Sequence, residues 1–201
     1  MTLDAEFLDA VRRLHRAKDA AYRDAWKRRG EVLSILANIA RKVDRLEYGM
    51  AGAPVTADES GVDTAVDLLV YCLKYQAYLA DLDPEAAARL FGGGGIRPPY
   101  SDGTSGFEAL LAEADLAPAW VNESSVAEAA RCIVSRFAEL EACFCQTAGI
   151  EAVSVRLARL IMLTDAAAVL VGAFRREHAH AYARFMDTCR ALKQGGAADA
   201  R

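Results

Sequence analysis

Apolar residues recur three and four positions apart along most of the chain, and this spacing predicts a protein built from helices. This spacing of apolar residues is clearest over residues 4–28 and 31–48, which Gly30 separates. A third helix is predicted over residues 60–81, with Asp58 or Ser60 as its N-cap. No stretch alternates well enough to predict a strand. The fold class is therefore predicted to be all-α.

The chain is predicted to divide at the segment "FGGGGIRPPYSDGTSG", which is rich in glycine and proline. Residues 1–91 then form a first helical half, residues 92–106 a linker, and residues 107–201 a second helical half. A short helix is expected after Pro84. In the second half, helices are predicted over residues 107–115, 123–147 and 151–193.

The third predicted helix poses the main question, because it is apolar on nearly every side and yet carries Asp63 and Asp67. These two residues lie only about 40° apart around a helix. A helix that is apolar all round belongs inside a bundle, and a buried carboxylate costs several kcal/mol unless a cation offsets the cost. The candidates for that cation are Lys74, Arg45 or a metal ion.

A metal site follows if the second and third helices pair antiparallel, as a short connection favours. Asp44 and Glu47 at the end of one helix would then meet Asp63 and Asp67 at the start of the next. Four carboxylates suit a hard cation, Mg²⁺ foremost and Mn²⁺ as an alternative. The competing interpretation is that Asp44 and Glu47 are exposed and pair with nearby arginines, while Asp63 caps its helix.

Three stretches together resemble a known superfamily: "KDAAYRDAWKRRG", "IARKVDRLE" and "ESGVDTAVDLLVYCLKY". They look like the all-α nucleotide pyrophosphohydrolases of the MazG-like and dimeric dUTPase kind, especially the phage-type members associated with nucleotide modification. The matching positions are Lys18, Tyr22 and Trp26, then Lys42, Arg45 and Leu46, then Asp63, Thr64, Asp67, Leu68 and Tyr71. The resemblance covers roughly residues 15–80.

The resemblance implies a MazG-like helical bundle that uses Mg²⁺ to cleave a nucleoside triphosphate to a monophosphate and pyrophosphate. Asp44 and Glu47 would stand for the first acidic pair and Asp67 for the second aspartate, with Glu47 and Asp67 as catalytic carboxylates. The chain departs from the pattern at Thr64, where the superfamily has glutamate, so Asp63 would have to substitute. The alternatives are a module that binds or senses a nucleotide without cleaving it, and a structural interaction protein.

A triphosphate also needs side chains that bind its remaining charge and its base. Lys18, Lys42, Arg45 and Lys74 are the candidates for the phosphates. Tyr22, Trp26, Tyr71 and Tyr75 are candidates to stack the base, although aromatic residues at such spacings also form cores. His15 is the one histidine near this region, and the pattern favours a solvent-exposed position for it.

The second half also aligns with the first. "IVSRFAELE" (133–141) matches "IARKVDRLE", and "LTDAAAVLVGAFRR" (163–176) can be set against "VDTAVDLLVYCLKY". One hypothesis is an internal duplication that has lost most acidic residues and forms a pseudo-dimer within one chain. The other is that amphipathic helices rich in alanine and leucine align by composition alone.

Composition limits the partners and the compartment. A net charge of −4 argues against binding to long nucleic acid. No signal peptide or membrane span is expected, and the odd number of cysteines, five, favours reduced thiols in the cytoplasm. The sequence leaves open whether two chains assemble into a homo-oligomer.

Overall fold

The computed structural model describes residues 3–50, 60–92, 95–114, 116–144 and 149–192, and every regular element in these ranges is helical. The all-α prediction is confirmed. The α-helices are α1 (Leu3–Tyr22), α2 (Ala37–Met50), α3 (Gly61–Leu82), α4 (Pro84–Phe91), α5 (Ser105–Glu113), α6 (Ala117–Val121), α7 (Val126–Glu141), α8 (Val153–Glu177) and α9 (Ala179–Ala191). Short 3₁₀ turns span Arg23–Trp26 and Ala142–Phe144, and a π-helix spans Glu31–Leu36.

Four of these helices form the centre of the fold. Helix α3 packs most extensively on α8, α7 packs on α8, and α2 packs on both α3 and α7. One continuous cluster of buried apolar residues runs through both halves of the chain. Across the α3–α8 contact, the Gln76 side-chain amide donates a hydrogen bond of 2.8 Å to the Thr164 hydroxyl, so this buried polar pair is satisfied.

The start of α3 is fixed by a local signal that the sequence shows. Ser60 is the N-cap: its hydroxyl accepts a hydrogen bond of 3.3 Å from the Asp63 backbone N–H, and the Asp63 carboxylate accepts one of 3.1 Å from the Ser60 N–H. This reciprocal capping box satisfies two backbone donors at the helix start. The prediction of Ser60 as N-cap is confirmed.

The chain before α2 is less regular than the two predicted helices. Helix α1 ends at Tyr22, and Gly30 has a φ of 80°, which glycine adopts at no steric cost. Within the π-helix that follows, the Ser34 hydroxyl accepts a hydrogen bond of 3.0 Å from the Arg29 backbone N–H. The Asn38 side chain donates a bond of 2.8 Å to the Ser34 carbonyl. At this widened turn, side chains thus form hydrogen bonds with backbone groups that a regular α-helix would pair with one another.

The helix predicted over residues 151–193 is interrupted, so its predicted bounds were wrong: α8 and α9 are separated at His178 (φ −127°, ψ 50°). The helix predicted over residues 123–147 begins at Val126 and continues from α7 into a 3₁₀ turn, and residues 145–147 lie outside the described residues. The break at His178 has no glycine or proline, and α9 packs against α1. Long-range packing therefore decides where α8 ends.

Helix α8 is long and apolar enough to cross a membrane, but 67% of its most apolar 18-residue window is buried inside the fold. Packing against α3 and α7 is sufficient to explain its composition.

The glycine- and proline-rich segment is fastened to α3 in its described part. The Asp81 carboxylate accepts hydrogen bonds of 2.6 Å and 2.9 Å from the backbone N–H groups of Tyr100 and Ser101. The Tyr100 ring stacks on Phe91 at a centroid distance of 4.4 Å. Residues 93–94 of the predicted linker lie outside the described residues. The division into two halves stays a prediction, and the core is shared between them.

The helix order agrees with what an internal duplication would require. The sequence alignment pairs α2 with α7 and α3 with α8. Helix α2 contacts α7 and α3 contacts α8, and such pairings would be expected if two copies were related by a pseudo-twofold axis. This arrangement favours the duplication hypothesis, which stays a prediction together with the MazG-like identity of the bundle.

Candidate functional site

A cleft of about 840 Å³ opens between α1, the 3₁₀ turn, the π-helix with the start of α2, and the middle of α3. Its lining is strongly basic. Among the described residues, six cationic side chains line it together with a single carboxylate, that of Asp67; the six are Lys18, Arg23, Arg28, Arg29, Arg41 and Lys74. Such an excess of positive charge in a concave site attracts anions.

Asp67 is the carboxylate that the sequence made conspicuous, and the structure shows what compensates its charge. It is 8% exposed and accepts hydrogen bonds from the ammonium groups of Lys18 and Lys42, the latter at 2.8 Å. Burial acts to raise the pKa of Asp67, but the two positive charges outweigh it and lower the pKa below its usual value. The partners are therefore Lys18 and Lys42, where the sequence suggested Lys74, Arg45 or a metal.

Lys74 lies two helical turns after Asp67 on the same face of α3, and its environment is different. Its ammonium group sits over the Trp26 ring, 4.5 Å from the ring centroid. Burial, opposed by the charge of Asp19 and assisted by the charges of Lys27 and Lys18, lowers the pKa of Lys74 to about 8. A partly desolvated lysine among other cations is thus held at the cleft wall.

The aromatic residues predicted to stack a base are not equivalent in the structure. Trp26 is only 7% exposed, and Lys74 covers one of its faces, so its role is to seat that ammonium group. Tyr71 is half-buried on α3. Tyr22 is 69% exposed and Leu33 73% exposed, and both line the cleft. The apolar surface open to a ligand therefore lies at Tyr22 and Leu33. Tyr75 is fully buried.

His15 is buried at the cleft, which corrects the expectation of an exposed side chain. It is 1% exposed, and its ring stacks on Phe107 at a centroid distance of 3.9 Å. Neither ring nitrogen has a hydrogen-bond partner among the described residues. Burial, with the nearby charge of Lys74, lowers the pKa of His15 to about 3, so the imidazole is neutral at physiological pH.

The predicted metal ligands lie in separate environments. Asp44 and Glu47 are exposed on α2, Asp63 caps α3, and Asp67 is paired with two lysines. Within the described ranges, no three aspartate, glutamate, histidine or cysteine side chains are grouped so that they could hold a metal ion. The donor set therefore does not fit a carboxylate-bound Mg²⁺ or Mn²⁺ ion, and the metal site stays a prediction that this geometry does not support. The alternative interpretation of Asp63 as a helix cap agrees with the structure.

The remaining predicted phosphate-binding residues divide between two places. Lys42 lies directly behind the cleft, on Asp67. Arg45 lines a different, mostly apolar cavity of about 500 Å³ beside Gly61 and Phe174. A Cβ at Gly61 would come within 2.5 Å of the Phe174 ring, so any larger residue there would require the ring to shift.

None of the four arginines that line the cleft, Arg23, Arg28, Arg29 and Arg41, was predicted from the sequence to bind a ligand. Arg28 and Arg29 belong to the run "WKRRG" just before Gly30, and Arg41 lies one helical turn after Asn38. The sequence feature that could have indicated Arg28 and Arg29 is a basic cluster that ends at a glycine turn. Such a cluster places several cations on one short curved segment.

A buried ion pair anchors the segment that carries these arginines. The Glu31 carboxylate at the start of the π-helix accepts hydrogen bonds from the Arg156 guanidinium on α8 and from the Tyr75 hydroxyl on α3. The side chains of Glu31 and Arg156 are 12% and 7% exposed. Burial, together with the negative charge of Glu31, raises the pKa of Tyr75, which stays protonated as a donor. The network fixes one wall of the cleft to the core.

Comparison of the chain with protein-family models, with curated proteins and with solved structures found no match.

Proposed function

We propose that the basic cleft binds a nucleoside polyphosphate and that the chain acts as a nucleotide-binding module. The observation that carries this proposal is the convergence of six cationic side chains with a single, already neutralised carboxylate on one concave surface. A triphosphate supplies the multiple negative charges that such a surface attracts.

The phosphate end of the ligand is assigned to the inner part of the cleft. Lys18 is 45% exposed although it contacts Asp67, so its ammonium group has further donors for a phosphate oxygen. Arg41 is exposed and contacts Asn38, which is uncharged. Lys74 adds a third cation to the cleft lining. Guanidinium and ammonium groups together match a chain of phosphates.

The base and sugar are assigned to the mouth of the cleft. Tyr22 and Leu33 offer exposed aromatic and aliphatic surface there, next to the cations. Burying part of this surface under a planar base contributes stacking energy of about 0.5–1.5 kcal/mol for an aromatic pair. This arrangement favours a nucleotide over a bare inorganic polyphosphate.

The central prediction concerns Arg41. Titration of the purified protein with ATP by calorimetry at low ionic strength is expected to show saturable binding, and Arg41→Ala should weaken it about tenfold or more, since a charge-assisted hydrogen bond contributes about 1.5–3 kcal/mol. The matched control is Arg136→Ala, because Arg136 lies on α7 and is paired at 3.0 Å with Glu139. Equal losses in both variants, or no binding by the unaltered chain, would refute the proposal and favour a structural helical protein.

A second prediction separates the two ends of the ligand. Tyr22→Ala is expected to weaken ATP binding several-fold and to leave binding of inorganic tripolyphosphate unchanged, because Tyr22 contacts the base and not the phosphates. The same calorimetric titration with both ligands measures this difference. A parallel loss for ATP and tripolyphosphate would move Tyr22 out of the base position.

Hydrolysis to a monophosphate and pyrophosphate is the second candidate function. The observation that favours it is the position of the Asp67 carboxylate in the wall of the phosphate-binding cleft. Pyrophosphate release from a panel of nucleoside triphosphates, measured with added Mg²⁺, tests it. Pyrophosphate release that Asp67→Asn abolishes would establish catalysis. ATP binding without pyrophosphate release from any nucleotide would support nucleotide binding as the function and exclude hydrolysis of these nucleotides.

A further inference from the structure

The lysines of this chain differ in whether a carboxylate pairs with them, and the proposed nucleotide binding does not depend on that difference. The structure describes four of them. Lys18 and Lys42 are ion-paired with Asp67, and Lys27 is ion-paired with Asp102. Within the described part of the chain, Lys74 has no ion pair with a carboxylate, and its contact is with the Trp26 ring.

The surroundings of Lys74 favour the neutral amine to an unusual degree. The side chain is half-buried, and Lys18 and Lys27 add positive charge nearby. Asp19 and the Trp26 face favour the charged form, and burial with the two lysines outweighs them, so the pKa falls to about 8. At neutral pH roughly a tenth of a lysine with that pKa is unprotonated. Desolvation beside another cation is the arrangement that activates lysine as a nucleophile.

We propose that Lys74 is a nucleophilic amine that forms an imine with aldehydes or ketones bearing a phosphate group. The recruitment step rests on the phosphate binding of the proposed function: the cations of the cleft hold the phosphate, which leaves the carbonyl carbon beside the Lys74 amine.

The reaction is a condensation without any change in oxidation state. The nitrogen lone pair of Lys74 attacks the carbonyl carbon, and the carbonyl oxygen takes up a proton while the nitrogen loses one, which gives a carbinolamine. After protonation that hydroxyl leaves as water, and a carbon–nitrogen double bond forms. One amine and one carbonyl compound thus give one imine and one water.

The test uses pyridoxal 5′-phosphate, which carries both an aldehyde and a phosphate. The protein is incubated with one equivalent, the imine is reduced with borohydride, and the modified lysine is located by peptide mass spectrometry. We expect at least fivefold more adduct at Lys74 than at any other lysine. Tripolyphosphate should suppress this adduct, and pyridoxal, which lacks the phosphate, should give less than a fifth of it.

Two variants keep the positive charge and serve as a matched pair. Lys74→Arg should abolish the selective adduct and retain tripolyphosphate binding, which also shows that this variant folds. Lys27→Arg, whose native ammonium group lies 5.9 Å from the Trp26 ring centroid and outside the cleft lining, should label as the unaltered protein does. Adducts spread evenly over the lysines, or equal labelling of Lys74 by pyridoxal, would overturn the imine proposal. Nucleotide binding is measured separately by calorimetry, so the two proposals can fail independently.

Discussion

Arg156→Met is expected to lower the free energy of unfolding by about 3–5 kcal/mol, because it leaves the buried Glu31 carboxylate without its cation. The Glu31 side chain is 12% exposed and that of Arg156 7% exposed, so water can replace the lost partner only poorly. Tyr75 alone would then donate to the carboxylate. Chemical denaturation followed by circular dichroism measures the change, since loss of the bundle removes the helical signal.

The matched control lies one turn further along the same helix. Arg159→Met removes a guanidinium that pairs at 3.0 Å with Glu139 and is 45% exposed. Exposed pairs contribute at most about 1 kcal/mol, so this variant should stay close to the unaltered protein in stability. Comparable losses for Arg156→Met and Arg159→Met would show that burial does not set the strength of the Glu31 pair.

A double variant separates the loss of the pair from the loss of the arginine's packing. In Glu31→Leu/Arg156→Met neither charge remains, and the double variant should be more stable than Arg156→Met alone. Replacing a whole buried ion pair with apolar residues is often neutral, whereas removing one partner is not. Any remaining deficit then measures the unsatisfied Tyr75 hydroxyl and the altered packing.

The fold class and helix α3 could be predicted because their signals are local. The Ser60–Asp63 capping box and the 3.6-residue period of apolar positions both lie within a few residues of the structure that they produce. The break at His178 and the π-helix depend on where other helices pack, which no short window of sequence contains.

The candidate site could be predicted in part. Of the eight side chains offered for binding the phosphates or the base, five line the cleft: Lys18, Tyr22, Trp26, Tyr71 and Lys74. The compensation of Asp67 could not be predicted in detail, because Lys18 lies 49 positions away in sequence and two ammonium groups satisfy a carboxylate as well as a metal ion does. Likewise, Glu31 and Arg156 are 125 positions apart.

Acid is expected to destabilise the fold through His15. The folded-state pKa of this imidazole is about 3, below its ordinary value of 6.5, so between these values the unfolded chain binds a proton that the folded chain does not. Stability is therefore complete above about pH 6.5 and decreases progressively as the pH falls towards 3. The positive charges of Lys74, Arg16 and Lys18 oppose protonation, and Glu108 favours it without reversing the shift. The contribution at the acid end is on the order of 5 kcal/mol.

His15→Phe tests this linkage because it keeps an aromatic ring against Phe107 and removes both nitrogens that lack partners. At pH 7 the variant should be as stable as the unaltered protein or slightly more so, since no hydrogen bond is lost. Urea denaturation at intervals from pH 7 to pH 4 should show that the difference in unfolding free energy grows in favour of the variant as the pH falls. His180→Phe, at an exposed position on α9, should retain the full acid loss. Carboxylates other than Glu108, which interacts with the imidazole, act equally in all three proteins. A constant difference across this range would mean that the His15 imidazole accepts its proton in the folded state as readily as in water.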